Sequence, residues 1–171
     1  AKIGQLLFKL VDRFAPQTIF ELGTSLGIST LYLALAAQKD AKIITFEGCP
    51  EIAKIAQTNF ENTQIPIEIC LGNLDKTLIK KLESIEKLDF VFFDANHQYE
   101  VTLNYFKICL EKVHTETIFV FDDIHWSDEM QKAWKEICQN PKVRLSLDLF
   151  HLGIVFFRKE QYEKEHFLLR F

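Results

Sequence analysis

Short runs of β-branched and aromatic residues alternate along the chain with segments of helical period. Residues 18–22, 42–46, 67–71, 88–93 and 118–121 read as strands. Between them, 28–38 is a helix rich in Leu and Ala, and Pro50 suits the first turn of a helix whose Ile52, Ile55, Ala56 and Phe60 share one face. A short helix is expected over 75–83, and a longer one near 99–111 that buries Leu103, Phe106 and Leu110. Ser127 reads as an N-cap with Asp128 and Glu129 in the first turn; Met130, Ala133, Trp134 and Ile137 then form a stripe at i, i+3, i+4 and i+7. Residues 1–16 supply one helix with Ile3, Leu6, Leu7 and Leu10 inward. Two strand-like runs, 143–149 and 153–158, precede an apolar tail over 160–171.

Five β–α alternations predict an α/β fold, a doubly wound parallel sheet with helices on both faces. Continuous apolar strands such as Phe90-Val91-Phe92-Phe93 are what a sheet covered on both faces requires. The few residues joining the last two runs allow only antiparallel neighbours, so the final strand is expected to run against the rest. The tail is expected to pack on the core, cover a sheet edge or help form a homodimer.

Length and composition narrow the class. The 171 residues suit a single domain spanning 1–171, and 48% hydrophobic content with sixteen Phe predicts a well-packed core. Net charge is −4 with no basic stripe, which argues against nucleic acid as partner. No apolar run reaches the roughly 18 residues of a membrane span. Cys49, Cys70, Cys109 and Cys138 are far apart, without the spacing of a disulfide framework or a zinc site, so a reducing cytoplasm is the expected location. The chain begins at Ala1 rather than Met, and the first helix is expected to be the remnant of a longer lid.

In open parallel sheets ligands bind beyond the carboxyl ends of the strands, so chemistry is sought there. After the first strand comes Gly23-Thr24-Ser25-Leu26-Gly27, with a helix starting close by. Its glycines let the chain turn and a ligand approach, and helix N-terminal amides with Ser29 suit a carboxylate better than a pyrophosphate. Glu47 at the second tip can accept both hydroxyls of a ribose. Gly72 and Asn73 follow the third strand, where an adenine edge could be met. Asp94 ends the fourth strand with His97 three residues on, and Asp122 and Asp123 end the fifth. If those strands are neighbours, three carboxylates converge and repel unless a cation joins them. Oxygen ligands with open positions suit Mg²⁺, or Mn²⁺ or Ca²⁺, better than zinc. His97 is the candidate general base.

The stretch FELGTSLGIST, Glu47 after the second strand, LGNLD after the third and the acidic tips of the fourth and fifth resemble class I S-adenosylmethionine-dependent methyltransferases. The likeness is greatest to the metal-dependent small-molecule O-methyltransferases of the catechol type, over about residues 17 to 158. It implies a Rossmann-like seven-stranded sheet, six strands parallel and the last antiparallel. It implies that Glu21, Gly23, Thr24, Ser25 and Gly27 line the methionine half of S-adenosylmethionine, that Ser29 meets its carboxylate, and that Glu47 holds the ribose. Gly72 and Asn73 would flank the adenine, and Asp94 would serve both cofactor and metal. The catechol-type pattern has an asparagine where this chain has Asp123 and a lysine where it has His97; related sugar and natural-product enzymes look similar in using D-x-x-H.

The expected reaction is methyl transfer to a small-molecule acceptor, an oxygen by preference, with Asp94, Asp122 and Asp123 as metal ligands and His97 with Asp94 as the catalytic pair. His125, Trp126 and Tyr99 are candidates for the substrate wall, Trp134 for the core, and His114 and His151 for ordinary surface positions. Alternatives are a metal-free methyltransferase on N, O or C, a nucleotide-dependent oxidoreductase, and a non-catalytic adenosine-ligand domain. The protein is expected to be a monomer or homodimer, and the acceptor's identity is not legible in these residues.

Overall fold

The computed structural model describes residues 2–61, 63, 65–160 and 162–170. The chain divides into two compact units, Ala1–Glu86 and Lys87–Phe171.

The first unit contains α1 (Lys2–Phe14), β1 (Thr18–Leu22), α2 (Ile28–Ala36), β2 (Lys42–Glu47), α3 (Pro50–Glu61), β3 (Ile67–Leu71) and α4 (Leu74–Glu83). Its strands pair in parallel in the order β3-β2-β1. Strand β1 buries four of its five residues, Glu21 among them. Helix α1 carries an amphipathic stripe, but the residues it buries are Leu7 and Val11, while Ile3, Leu6 and Leu10 stay partly exposed. Gly4 explains the close approach of α1 to α2: a β-carbon there would lie 2.4 Å from the Tyr32 ring.

The second unit contains β4 (Leu88–Phe93), α5 (Tyr99–Cys109), a 3-10 turn (Leu110–Lys112), β5 (Val113–Asp122), α6 (Asp128–Gln139), β6 (Leu145–Asp148), β7 (Leu152–Phe156) and β8 (Glu165–Leu168). The strand order is β4-β5-β7-β6-β8. Strand β7 opposes β5 and β6, and β8 lies parallel to β6. The reversed strand is therefore present, but it is not the last. The tail adds β8 along the β6 edge, with Phe167 and Leu168 exposed rather than packed into the core. Edge covering was one of the placements expected of the tail; the strand itself was not foreseen, because a strand with no buried face shows no alternation.

Strand β5 also begins five residues earlier than its apolar run. Its first half is polar, and a register shift separates the Leu88–Val113 pair from the Phe90–Ile118 pair. Thr117 bridges that irregularity by donating to the Leu88 carbonyl at 2.6 Å. The core of this unit is aromatic: Phe93 stacks on Phe121 at 4.3 Å, Phe119 meets both edge-on, Phe106 meets Phe121 edge-on, and Phe157 meets Phe119 edge-on. Trp134 is buried as expected, and Gly153 is required beneath it, since a β-carbon would lie 2.5 Å from the indole. The Ser127 hydroxyl caps α6 by accepting from Met130 N at 3.2 Å.

Candidate functional site: two groups of strand tips

In the first unit, the loop after β1 turns through Gly23, Ser25 and Gly27, all in the left-handed region with φ of 105°, 48° and 79°. Ser25 is not a glycine, so the loop holds backbone strain of a kind that gathers at functional sites. Gly27 is fixed twice over, because a β-carbon would also meet Phe60 of α3 at 2.4 Å. The amides of Gly23 and Thr24 both donate to the Phe46 carbonyl, and Asn59 donates to the Leu26 carbonyl at 2.9 Å. Helix α2 then starts with no side-chain cap, which leaves its N-terminal amides open for an anion.

Behind this loop lies a buried polar chain. Glu21 is fully buried, and one of its carboxyl oxygens accepts from Thr45 at 2.7 Å and from Thr30. Thr45 in turn shares a 2.6 Å hydrogen bond with Thr24. The other oxygen, Oε1, has no partner. Burial pushes the Glu21 carboxyl up to about 7, against the downward pull of the Ser29, Thr30 and Thr45 hydroxyls. Thr30 and Thr45 were not foreseen as partners; the only sequence signal was a carboxylate in an otherwise apolar strand.

At the β2 tip, Glu47 accepts from Ser25 N and from Cys49 N, each at 2.9 Å, so one carboxylate ties the glycine loop to the turn after β2. Gly72 N donates to the Glu47 carbonyl at 2.9 Å. Asn73 caps α4 by accepting from Asp75 N at 2.8 Å. Glu21, Gly23, Thr24, Ser25, Gly27, Ser29, Glu47, Gly72 and Asn73 thus all sit at or beside the tips of β1, β2 and β3.

In the second unit, β4 and β5 are parallel neighbours with Phe93 opposite Phe121, so Asp94 and Asp122 leave the sheet side by side. The His97 Nε2 lies 3.6 Å from Asp94 Oδ1 and 3.9 Å from Asp123 Oδ2. These are ion-pair distances rather than hydrogen bonds, and all three side chains are about one-third exposed. Asp123 and Asn96 adopt positive φ, 53° and 47°, which turns both loops sharply just past their strands. Burial, then the charge of Asp123, holds the Asp122 carboxyl above its ordinary range; the Asp123 amide, His97 and Asp94 oppose that shift. Carboxylate oxygens gathered at one sheet end are donors suited to a hard divalent cation. Among the described residues no group of three His, Cys, Asp or Glu side chains is arranged as a metal site. Mg²⁺ commonly uses only one or two protein carboxylates beside water, so this donor set still suits it.

The remaining candidates have surroundings of their own. Tyr99 donates its hydroxyl to Glu136 of α6. His125 Nε2 lies 2.8 Å from Asp148, a buried carboxylate that also accepts from Trp134 and from Phe150 N. The His125 ring stacks on Phe150 at 5.4 Å, and Trp126 is 74% exposed. Asp148 escaped the sequence reading because it ends a strand far along the chain from His125. His114 is more than a surface residue, since it meets the buried Asp89 at 2.7 Å; His151 packs edge-on against Phe150.

Comparison with known proteins places this arrangement. A family model described as a methyltransferase domain matches residues 20–124. A catechol O-methyltransferase of Niastella koreensis is 29% identical over 124 residues, 71% of this chain and 55% of that protein. The chain spans about half the length of the curated relatives it matches. An O-methyltransferase from Bacillus cereus, solved in complex with SAH, superposes with a TM-score of 0.75 at 24% identity, covering 91% of this chain and 80% of that one. The O-methyltransferase TomG from Streptomyces achromogenes, involved in tomaymycin synthesis and solved with SAM, gives 0.79 at 20% identity over 92% and 80%. These likenesses show the Rossmann-like α/β fold. No helix among the described residues is long and apolar enough to cross a membrane. By the match over residues 20–124, which holds the glycine loop, Glu47 and the acidic tips of β4 and β5, this chain belongs to the methyltransferase-domain family.

Proposed function

We propose that the protein transfers a methyl group from S-adenosylmethionine to a hydroxyl oxygen of a small-molecule acceptor, with help from a divalent cation. The observation that carries this reading is the placing of Asp94 and Asp123 beside His97, with Asp122 next in chain to Asp123, at the tips of β4 and β5 in a chain of this family.

Bound cofactor and cation would together supply an electrophilic methyl group and a Lewis acid that favours the ionised acceptor hydroxyl. The residues of the chain do the rest. Open amides of α2 and the Ser29 hydroxyl hold the methionine carboxylate. Glu47, already fixed by two backbone amides, accepts from the ribose hydroxyls. Gly72 and Asn73 flank the adenine. One or two of Asp94, Asp122 and Asp123 would hold the cation, with water completing its shell. His97 takes the hydroxyl proton on Nε2, where Asp94 and Asp123 stabilise the imidazolium that forms. The gain in rate comes chiefly from alignment of donor and acceptor. His125, Trp126 and the ring of Tyr99, whose hydroxyl donates to Glu136, bound the acceptor.

A second reading, metal-free transfer with His97 as base, is favoured by the lack of a three-ligand group among the described residues. Both are tested by following S-adenosylhomocysteine release with catechol and other small hydroxylated acceptors, with EDTA and after Mg²⁺ is restored. Activity lost to EDTA and regained with Mg²⁺ supports the first reading. Activity indifferent to EDTA supports the second. No release with any acceptor, together with no S-adenosylhomocysteine binding, overturns both.

A further inference from the structure

Strands β5 and β6 both pair antiparallel with β7, Asp122 opposite Leu152 and Asp148 opposite Gly153. The two strands therefore run the same way and end within one residue of each other along the ladder. Asp148 stands two strands from Asp122, roughly 10 Å across the sheet, at the end where ligands of such sheets bind.

The Asp148 carboxylate is buried and engaged by donors from three places. Its Oδ1 accepts from Phe150 N at 2.9 Å, and its Oδ2 pairs with Trp134 Nε1 at 3.2 Å and His125 Nε2 at 2.8 Å. A carboxylate only accepts, so the hydrogen of the His125 pair sits on Nε2, and Nδ1 is the ring nitrogen left for a ligand. Asp148 is itself pinned, since it pairs with Gly153 and its carbonyl accepts from Leu169 N at 2.8 Å. Trp134 is buried in the stripe of α6. The imidazole of His125 is thus fixed by β6 and α6, although His125 lies in the loop beyond β5.

The turn between β6 and β7 carries a second, independent sign. Phe150 has φ of 71°, a region that non-glycine residues rarely adopt, and its ring is 62% exposed. For the fold alone, glycine would serve better on both counts. The ring instead lies on His125, centroids 5.4 Å apart and planes 18° from parallel. Strain and apolar exposure are thus spent outside the core, two residues from Asp148 and against the imidazole that Asp148 holds.

We propose that Asp148 is a positioning residue for the methyl acceptor, holding the His125 imidazole and the Phe150 ring as one preset wall. This role rests on the reading in which His125 bounds the acceptor, and it adds Phe150 to that site. The two rings touch the acceptor; Asp148 acts through them. Presetting both lowers the ordering cost of binding, so loss of Asp148 is felt in KM for the acceptor and not in cofactor affinity.

Release of S-adenosylhomocysteine with whichever hydroxylated acceptor the parent turns over tests it, in the parent, Asp148→Asn and Phe150→Gly, beside S-adenosylhomocysteine titrations and thermal melts. Asp148→Asn keeps the size but replaces one acceptor oxygen by a donor, so at least one of the three hydrogen bonds fails. Its KM for the acceptor should rise about tenfold, with kcat within about threefold and cofactor affinity unchanged. Phe150→Gly should raise KM about threefold yet keep or raise the melting temperature, because glycine takes positive φ without strain. A merely structural role would not separate the two. Ring nitrogen-15 spectra give a readout that needs no acceptor: His125 carries its hydrogen on Nε2 in the parent, and that signal shifts in Asp148→Asn. Should Asp148→Asn fail to fold, Phe150→Gly and the parent spectrum decide. Parent-like KM in any variant that folds, KM and cofactor affinity moving together, or His125 protonated on Nδ1 alone overturns the proposal and leaves methyl transfer standing. A parent that turns over no acceptor overturns the reading beneath it, and the positioning role falls with that reading.

Discussion

The two groups of strand tips treat carboxylates in opposite ways. In the first unit Glu21 is fully buried and hydrogen-bonded by hydroxyls, and burial raises its carboxyl to about 7. In the second unit Asp94 and Asp123 keep about a third of their side chains in solvent and share one imidazole. A buried carboxylate with only hydroxyl partners leans toward its neutral form and braces a loop; a cluster left partly in solvent is open to a ligand. Similar strand-end chemistry therefore yields a buried acid in one unit and a solvent-open cluster, the proposed reactive centre, in the other.

The largest expected effect tests the reactive centre. His97→Ala should lower kcat by about 10²- to 10⁴-fold, as loss of a general base does, with KM changed only a few-fold. Unchanged turnover would remove His97 from that role. Glu21 supplies the contrasting prediction. Its carboxyl is raised on folding, so the folded state holds a proton the unfolded state has lost between about 4.5 and 7. The Glu21 contribution to stability is therefore greatest below about 4.5 and is lost as pH rises through about 7, by on the order of 3 kcal/mol. Urea melts of the parent against Glu21→Gln across that window should show the slope vanish in the variant. A slope that survives would mean the strand-tip acid is not the one titrating.

Gly27→Ala places a β-carbon at positive φ and against Phe60, and should cost about 2 to 3 kcal/mol in thermal or urea melts. A milder loss would show that the glycine loop can shift. The smallest effect is at the exposed indole: Trp126→Ala should raise KM for the acceptor about threefold and leave stability unchanged, since the ring is 74% in solvent.

Much of this was legible because apolar runs and strand ends obey simple rules. The β1 to β5 tips fell where hydrophobic period gave way to Gly, Glu and Asp, and the parallel pairing of β4 with β5 put Asp94 beside Asp122 as expected. What escaped reading lacked a local signal. Strand β8 buries neither face, the early part of β5 is polar, and the Glu21–Thr30, Glu21–Thr45 and His125–Asp148 contacts join residues 9, 24 and 23 positions apart. The role of Asn73 as a helix cap was readable in principle from Asn followed by an acidic first turn.

The central claim is that the glycine loop and Glu47 bind the adenosyl cofactor. Titrating the chain with S-adenosylhomocysteine, with NADH as control and Glu47→Gln alongside, tests it most directly. The account predicts one site per chain for S-adenosylhomocysteine, none for NADH, and about tenfold weaker binding in the variant. Absence of binding, or equal affinity in parent and variant, would contradict it.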